Sequence, residues 1–112
     1  MKYRNKKTII DGIEFDSKLE GKRYMQLKQL QKAKFIKDLE LQPEFELQPS
    51  FKKNGKTYRK ITYKADFKYF DIDFDKWVIE DTKGFKTRDY MLKKKMFEYK
   101  YQDLELKEIT KC

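Results

Sequence analysis

Apolar residues along the chain change period several times, and each change marks an element. Thr8-Ile9-Ile10 and Ile13-Glu14-Phe15 are short β-prone runs on either side of Asp11-Gly12, a pair that adopts positive φ readily, so a tight hairpin is predicted over Thr8 to Phe15. A helix is predicted to follow. Ser17 and Glu20 have capping-box spacing, and Leu19, Tyr24, Leu27, Leu30 and Ala33 fall on one side at about 100° per residue. Phe35 to Leu41 and Glu44 to Leu47 read as extended, with Pro43 marking an edge or a bend between them. Asn54-Gly55 signals another hairpin turn. Thr57 to Phe70 then alternates as one strand, with Ile61, Tyr63, Ala65, Phe67 and Tyr69 on one face and Thr62, Lys64, Asp66 and Lys68 on the other. After a polar turn over Asp71 to Lys76, Trp77 to Lys83 reads as the next strand, stopped by Gly84. A second helix is predicted from about Thr87 to Tyr101, with Met91, Leu92, Met96 and Tyr99 as its apolar stripe, and Leu104 to Ile109 closes the chain as a strand. This order predicts a mixed α/β (α+β) fold, a mixed four-stranded sheet flanked by helices with an N-terminal hairpin.

Composition narrows the picture. The 112 residues suit one domain, with 1–16 as a basic arm and hairpin and 17–112 as the core. Charged residues make up 42% and aromatic residues 16%, so the apolar content sits in a few bulky side chains able to form a compact centre. No repeat or low-complexity tract interrupts the chain. Lys and Arg number 28 against 19 Asp and Glu, and the net charge of +9 points to a polyanionic partner unless it is simply a solvated basic surface.

The sequence contains no histidine, which removes histidine-liganded zinc, histidine general bases and Ser-His-Asp triads. Catalysis then falls to carboxylates, lysine or a hard cation. The only cysteine is Cys112, so no intramolecular disulfide forms and a reducing, cytoplasmic setting is expected. No apolar run is long enough to span a bilayer.

The segment from Trp77 to Gly84 carries the sharpest chemical signal. An apolar start ending in Glu80, Asp81 and Lys83 places ionisable groups at a sheet rim, and the two-residue period puts Asp81 and Lys83 on the same face. They are placed to share one phosphate, or they form an ordinary solvated ion pair. Asp66 comes to lie across from Asp81 if the two strands pair. Glu20 falls between Leu27 and Tyr24 on the helical wheel, where an unpaired carboxylate is costly to bury; the capping box with Ser17 also accounts for it, and both roles can hold together. Three carboxylates and a lysine suit phosphodiester hydrolysis. Mg²⁺ or Mn²⁺ held by carboxylates can offset phosphate charge, activate water and ease departure of the leaving oxygen. Lys83 is assigned to orientation and electrostatic stabilisation, with proton abstraction the lesser option.

Asp66, Asp81-Thr82-Lys83 and the upstream Glu20 together resemble the PD-(D/E)XK nuclease superfamily, whose core is an αβββαβ unit. The stretches Asp11 to Glu20, Tyr63 to Phe67 and Glu80 to Gly84 are similar in particular to a phage-borne group of small nucleases like Holliday-junction resolvases. The resemblance covers nearly the whole chain and implies a restriction-endonuclease-like core. It implies Asp66 and Asp81 as metal ligands, Lys83 as the catalytic lysine and Glu20 as the helix carboxylate completing or supporting a second metal position. Ala65 stands where the family pattern often has proline. Glu80 faces away from Asp81 by strand alternation and is auxiliary or structural. The resemblance further implies branched DNA as substrate, a homodimer to cut two symmetric strands, and a phage or prophage gene acting in a bacterial host.

The second helix is the expected DNA contact. Lys86, Arg88 and Lys93 are placed to meet neighbouring phosphates, and Lys95, on the flank of the apolar stripe, to reach the active-site side; a solvated lysine cluster explains the same letters. The resemblance favours Lys93 and Lys95. No nucleotide cofactor is expected, since Ser50 replaces the first glycine of the P-loop pattern that ends in Gly55-Lys56-Thr57. The Asp71, Asp73, Asp75 series imitates a calcium loop but has Lys76 in place of the required glycine. The tyrosines and phenylalanines read mostly as core or sheet-face residues. The rival class is a non-catalytic basic protein that binds nucleic acid.

Overall fold

The computed structural model describes residues 7–112, so the part of the expected basic arm formed by residues 1–6 lies outside the described residues. β1 (Thr8–Ile10) and β2 (Ile13–Phe15) pair as the N-terminal hairpin, with Asp11 at φ 55° and Gly12 at φ 75° supplying the two left-handed positions of its turn. α1 (Lys18–Lys32) starts at Ser17, whose hydroxyl accepts from the Glu20 N–H at 3.1 Å. The Glu20 carboxylate reaches back to the Asp16 N–H at 3.2 Å, so the box closes one residue further out than the simple pattern. The buried face of α1 is Glu20, Gly21, Tyr24 and Leu27, whereas Leu19 is half-buried and the capping Ala33 is exposed. Its inner side is therefore rotated from the expected stripe toward Gly21. The hairpin causes this: Thr8 Cγ2 and Ile10 Cδ1 lie 2.7 and 2.9 Å from where a Cβ on Gly21 would stand.

The main sheet has four strands, β3 (Ile36–Leu41), β8 (Phe67–Asp71), β9 (Lys76–Thr82) and β10 (Glu105–Ile109), in the order β10-β9-β8-β3. β10 runs parallel to β9 and the other pairs are antiparallel, so the sheet is mixed. With α1 before β3 and α2 (Arg88–Lys100) between β9 and β10, the core elements follow the order αβββαβ. Val78 packs with Tyr24 and Leu27 of α1, and its neighbour Ile79 packs with Tyr90 and Phe97 of α2. Consecutive strand residues face opposite ways, so the two helices cover opposite faces. Each fully buried Leu, Ile or Phe in these cores contributes about 1.5–3 kcal/mol.

β4 (Glu44–Gln48) and β7 (Ile61–Lys64) pair as a continuation of β3 and β8, and β5 (Phe51–Lys53) and β6 (Lys56–Tyr58) close the ribbon at Asn54-Gly55. The single strand expected over Thr57 to Phe70 is thus three pieces. Tyr63 and Ala65 belong to the α2-side core while Phe67 and Tyr69 belong to the α1-side core, so the expected common face is split. The cause is a break in the ladder at Ala65-Asp66, where the Ala65 N–H bonds the Pro43 carbonyl at 3.0 Å and the Asp66 N–H bonds the Glu80 carbonyl at 3.0 Å. Opposite it, Gln42 takes φ 52° and donates to the Asp66 carbonyl at 2.8 Å.

α2 also differs from its expected packing. Its buried residues are Tyr90 and Phe97, whereas Met91, Leu92 and Tyr99 are exposed and Met96 is half-buried. Phe97 sits among the rings of Phe45, Tyr63 and Tyr101, with the Phe45 centroid 5.0 Å away at 73°. The two aromatic residues seven positions apart offer more burial than the thioethers and thereby set the helix rotation. No helix among the described residues is long and apolar enough to cross a membrane.

Candidate active site

The break at Ala65-Asp66 aims the Asp66 side chain toward the end of β9. The register Phe67 opposite Glu80 sets Asp66 beside Asp81, and Asp66 Oδ2 accepts from the Thr82 N–H and the Thr82 hydroxyl, both at 2.7 Å. The first turn of α1 brings Glu20, only 3% exposed, within electrostatic reach of Asp66. Lys83, just beyond β9, places its ammonium 3.1 Å from Asp81 Oδ1. Glu20, Asp66, Asp81 and Lys83 therefore form one cluster at the junction of α1, β8 and β9.

Asp81 is almost wholly buried, and the Tyr63 phenol donates to its Oδ2. Its other oxygen, Oδ1, has no hydrogen-bond partner. Lys83 meets that oxygen as an ion pair without hydrogen-bond alignment, so the lone pairs stay undirected. Burial first, and then the Asp66 charge, push the Asp81 carboxyl up to about 7, against the opposing pull of Tyr63 and Lys83. Glu20 is likewise pushed up to about 7, by burial and by Asp66. Burial and the Asp81 charge hold the Tyr63 phenol far above the ordinary tyrosine range, fixing it as a donor.

Lys83 also stands 4.5 Å from the centre of the Tyr90 ring. The Tyr90 hydroxyl donates to Glu108 Oε2 at 2.7 Å, and Glu108 in turn pairs with Lys86 at 3.0 Å and Lys94 at 3.6 Å. Glu80 takes no part in the cluster through its side chain. It is fully buried on the α1 face, gripped by Arg23 Nε and Nη2 at 2.7 Å each and by the Tyr69 hydroxyl at 2.5 Å.

Of the lysines and arginine expected to contact DNA, Lys86 is tied to Glu108, and Lys93 lies 4.0 Å from Asp89 on its own helix. Arg88 and Lys95 are exposed without an ion pair among the described residues. Lys86 and Lys95 share a groove of about 480 Å³ with Met91, Lys94, Glu98 and Glu108. Sequence reasoning treats the tyrosines as core residues and passes over Thr82 and Arg23. Tyr63 and Tyr90 are indeed buried, but their polar ends turn to Asp81 and Glu108. A buried tyrosine needs a partner for its hydroxyl, and that requirement was the available signal.

Among the described residues, no three or more His, Cys, Asp or Glu side chains are grouped closely enough to hold a metal ion. The donor chemistry nevertheless fits a hard dication. The donors are oxygen atoms, one of them is buried without a hydrogen bond, and burial, followed by the Asp66 charge, raises the proton affinity of Glu20 and Asp81, which a dication would oppose. No curated protein and no solved structure matches the chain. A family described as "Protein of unknown function (DUF1064)" matches residues 1–112, and the chain belongs to that family.

Proposed function

We propose that this protein is a metal-dependent DNA endonuclease that hydrolyses phosphodiester bonds. The observation carrying the reading is Asp81, a buried carboxylate crowded by Asp66, with one oxygen left without a hydrogen bond and Lys83 beside it, while Glu20 presses on Asp66 from α1. A strand end that served only structure would gain by replacing such acids with neutral residues. Mg²⁺ or Mn²⁺, held by Asp66 and Asp81 with Glu20 completing or supporting the set, supplies positive charge for the scissile phosphate and its attacking water. Thr82 holds the Asp66 carboxylate through two hydrogen bonds, and Tyr63 holds that of Asp81. Lys83, fixed between Asp81 and the Tyr90 ring, offsets the charge that builds on the non-bridging oxygens.

The substrate proposed is branched DNA, such as four-way junctions, cut by a homodimer that presents two sites to two symmetric strands. The setting proposed is the cytoplasm of a bacterial host during phage recombination or replication. These finer points follow the resemblance in the sequence.

Labelled four-way, linear duplex and single-stranded DNA, incubated with and without Mg²⁺, test the reading. The expected result is Mg²⁺-dependent cleavage by the native protein and loss of at least about 100-fold in rate for Asp81→Asn with DNA binding retained. Equal cleavage by both proteins, or none by either on any substrate, overturns it. The second outcome would favour a non-catalytic DNA-binding protein, as the net charge of +9 also suits.

A further inference from the structure

The β5–β6 hairpin lies outside the chemistry described so far. Between Glu46 and Asp66 the sequence holds Lys52, Lys53, Lys56, Arg59, Lys60 and Lys64 and no acidic residue. None of these six cations forms an ion pair among the described residues, whereas Lys76, Lys83, Lys86, Lys93, Lys94 and Lys107 all do. Every residue of β5 and β6 is exposed.

The pairing of the hairpin sharpens the point. Lys53 sits opposite Lys56 and Phe51 opposite Tyr58, so strand alternation gathers both lysines and both rings on one face. Like charges directly opposite each other destabilise a ribbon. A lone two-stranded hairpin is already marginal in water. Here the Phe51 and Tyr58 rings stack at 4.8 Å and 9° and hold the strands together, with Lys56 5.1 Å from the Tyr58 ring centre. The sequence thus keeps formed an exposed ribbon whose charges oppose its folding, and an external polyanion removes that opposition.

We propose that the β5–β6 hairpin is a DNA-binding arm that lays Lys53 and Lys56 on its ring-bearing face against the backbone of a B-form duplex, with Lys52 on the opposite face reaching phosphates of the groove wall. Two paired strands fit a major groove about 12 Å wide, whereas the deep, narrow major groove of duplex RNA excludes them. The arm is joined to the acidic cluster, because β6 leads through β7 directly to Asp66. From Lys56 to Asp66 is ten residues of sequence, a reach of at most about 33 Å at ~3.3 Å per residue. At ~3.4 Å per nucleotide along one strand, Lys56 meets phosphates up to about ten base pairs from the cluster. The choice of DNA as the polyanion rests on the nuclease reading.

The test measures affinity by fluorescence anisotropy in EDTA, for a duplex of about 30 base pairs over a salt series. It compares the native protein, Lys52→Ser/Lys53→Ser/Lys56→Ser, and a control with equal charge loss on exposed helix positions, Lys22→Ser/Lys28→Ser/Lys32→Ser. The hairpin variant is expected to bind at least tenfold more weakly near 0.1 M salt, with the log–log salt slope reduced by about 2–3, at ~0.9 per lost phosphate contact. The control should lose less than a third of that. Equal losses in the two variants, or none in the hairpin variant, overturn the proposal, as does a preference for duplex RNA or for anionic vesicles over duplex DNA. In the unaltered protein, chemical acetylation of Lys52, Lys53 and Lys56 should slow several-fold when duplex is bound; unchanged rates overturn it without any variant. Loss of cleavage in Asp81→Asn together with unaltered binding by the hairpin variant rejects the arm and keeps the nuclease. Weakened hairpin binding without any cleavage rejects the nuclease and keeps the arm.

Discussion

The Lys83 ammonium lies 4.5 Å from the centre of the Tyr90 ring and 3.1 Å from Asp81 Oδ1, so one cation meets both groups. Tyr90 is itself fixed, because its hydroxyl donates to Glu108 on β10. A partly desolvated cation–π contact is worth about 1–2 kcal/mol, enough for roughly tenfold in rate if it acts only on the orientation of Lys83. Tyr90→Leu should therefore slow single-turnover cleavage about tenfold with DNA affinity unchanged, and Tyr90→Phe, which keeps the ring, should stay within about threefold. A Phe variant as slow as the Leu variant would assign the effect to the Glu108 hydrogen bond instead.

The Arg23 and Glu80 pair stabilises without taking part in the chemistry. Glu80 is fully buried, and Arg23 supplies two of its three hydrogen bonds. Removing one partner of a buried pair costs about 3–5 kcal/mol, because the other charge is left uncompensated. Arg23→Ala should lose about 3 kcal/mol in urea unfolding, the low end because the Arg23 side chain is 19% exposed. Arg23→Met/Glu80→Gln should recover most of that loss. A single-variant loss below about 1 kcal/mol would mean that Tyr69 or water carries the pair.

What could be read from the letters depended on how local the physics was. Asp11-Gly12 and Asn54-Gly55 announce their turns because few residues accept positive φ, and the Ser17 to Glu20 spacing fixes the start of α1. The pairing of Asp66 with Asp81 follows from two adjacent strands and one register. The break at Ala65-Asp66 was hidden, since β-prone residues alternate straight through it and the hydrogen bonds that make it come from Pro43 and Glu80. The orientation of α2 was hidden as well. Met91, Leu92 and Tyr99 form a plausible stripe, and only the far-off Phe45 and Tyr63 select Tyr90 and Phe97 instead. The buried face of α1 shifted for the same kind of reason, a hairpin docking on Gly21.

Gly21 gives a stability prediction in which two effects oppose. Replacing glycine with alanine inside a helix gains about 1 kcal/mol of propensity. The new Cβ would meet Thr8 Cγ2 at 2.7 Å and Ile10 Cδ1 at 2.9 Å, and overpacking of this kind costs about 1–3 kcal/mol. Ile10 can rotate its terminal methyl away, but the β-branched Thr8 cannot move without its strand. Gly21→Ala should therefore lower the melting temperature by a few degrees, about 1 kcal/mol net, and faster amide exchange should be confined to β1 and β2. A higher melting temperature would show that the hairpin yields freely.

The acidic cluster couples proton binding, metal binding and stability in one direction. Glu20 and Asp81 are both held up near 7 by burial and by the Asp66 charge, whereas the unfolded chain ionises them in the ordinary range near 4. Between those values the folded protein binds more protons than the unfolded one, so stability falls as pH rises. The contribution is complete below about pH 4 and is lost as pH passes through about 7; at ~1.4 kcal/mol for each pH unit between those values it is of the order of several kcal/mol, reduced because both acids share Asp66 as neighbour. Without metal, the melting temperature should thus decline between about pH 5 and pH 8. Asp81→Asn, which still accepts from Tyr63 but carries no charge, should flatten that decline and melt higher than the native protein at about pH 8. Millimolar Mg²⁺ should raise the native melting temperature more at about pH 8 than at about pH 5, with protons released on binding, because the dication needs the ionised carboxylates. Scanning fluorimetry over the pH series, with and without Mg²⁺, separates these outcomes. A native melting temperature that rises with pH in the absence of metal, or an Asp81→Asn variant that still responds to Mg²⁺ in full, would remove Asp81 from the proposed metal set.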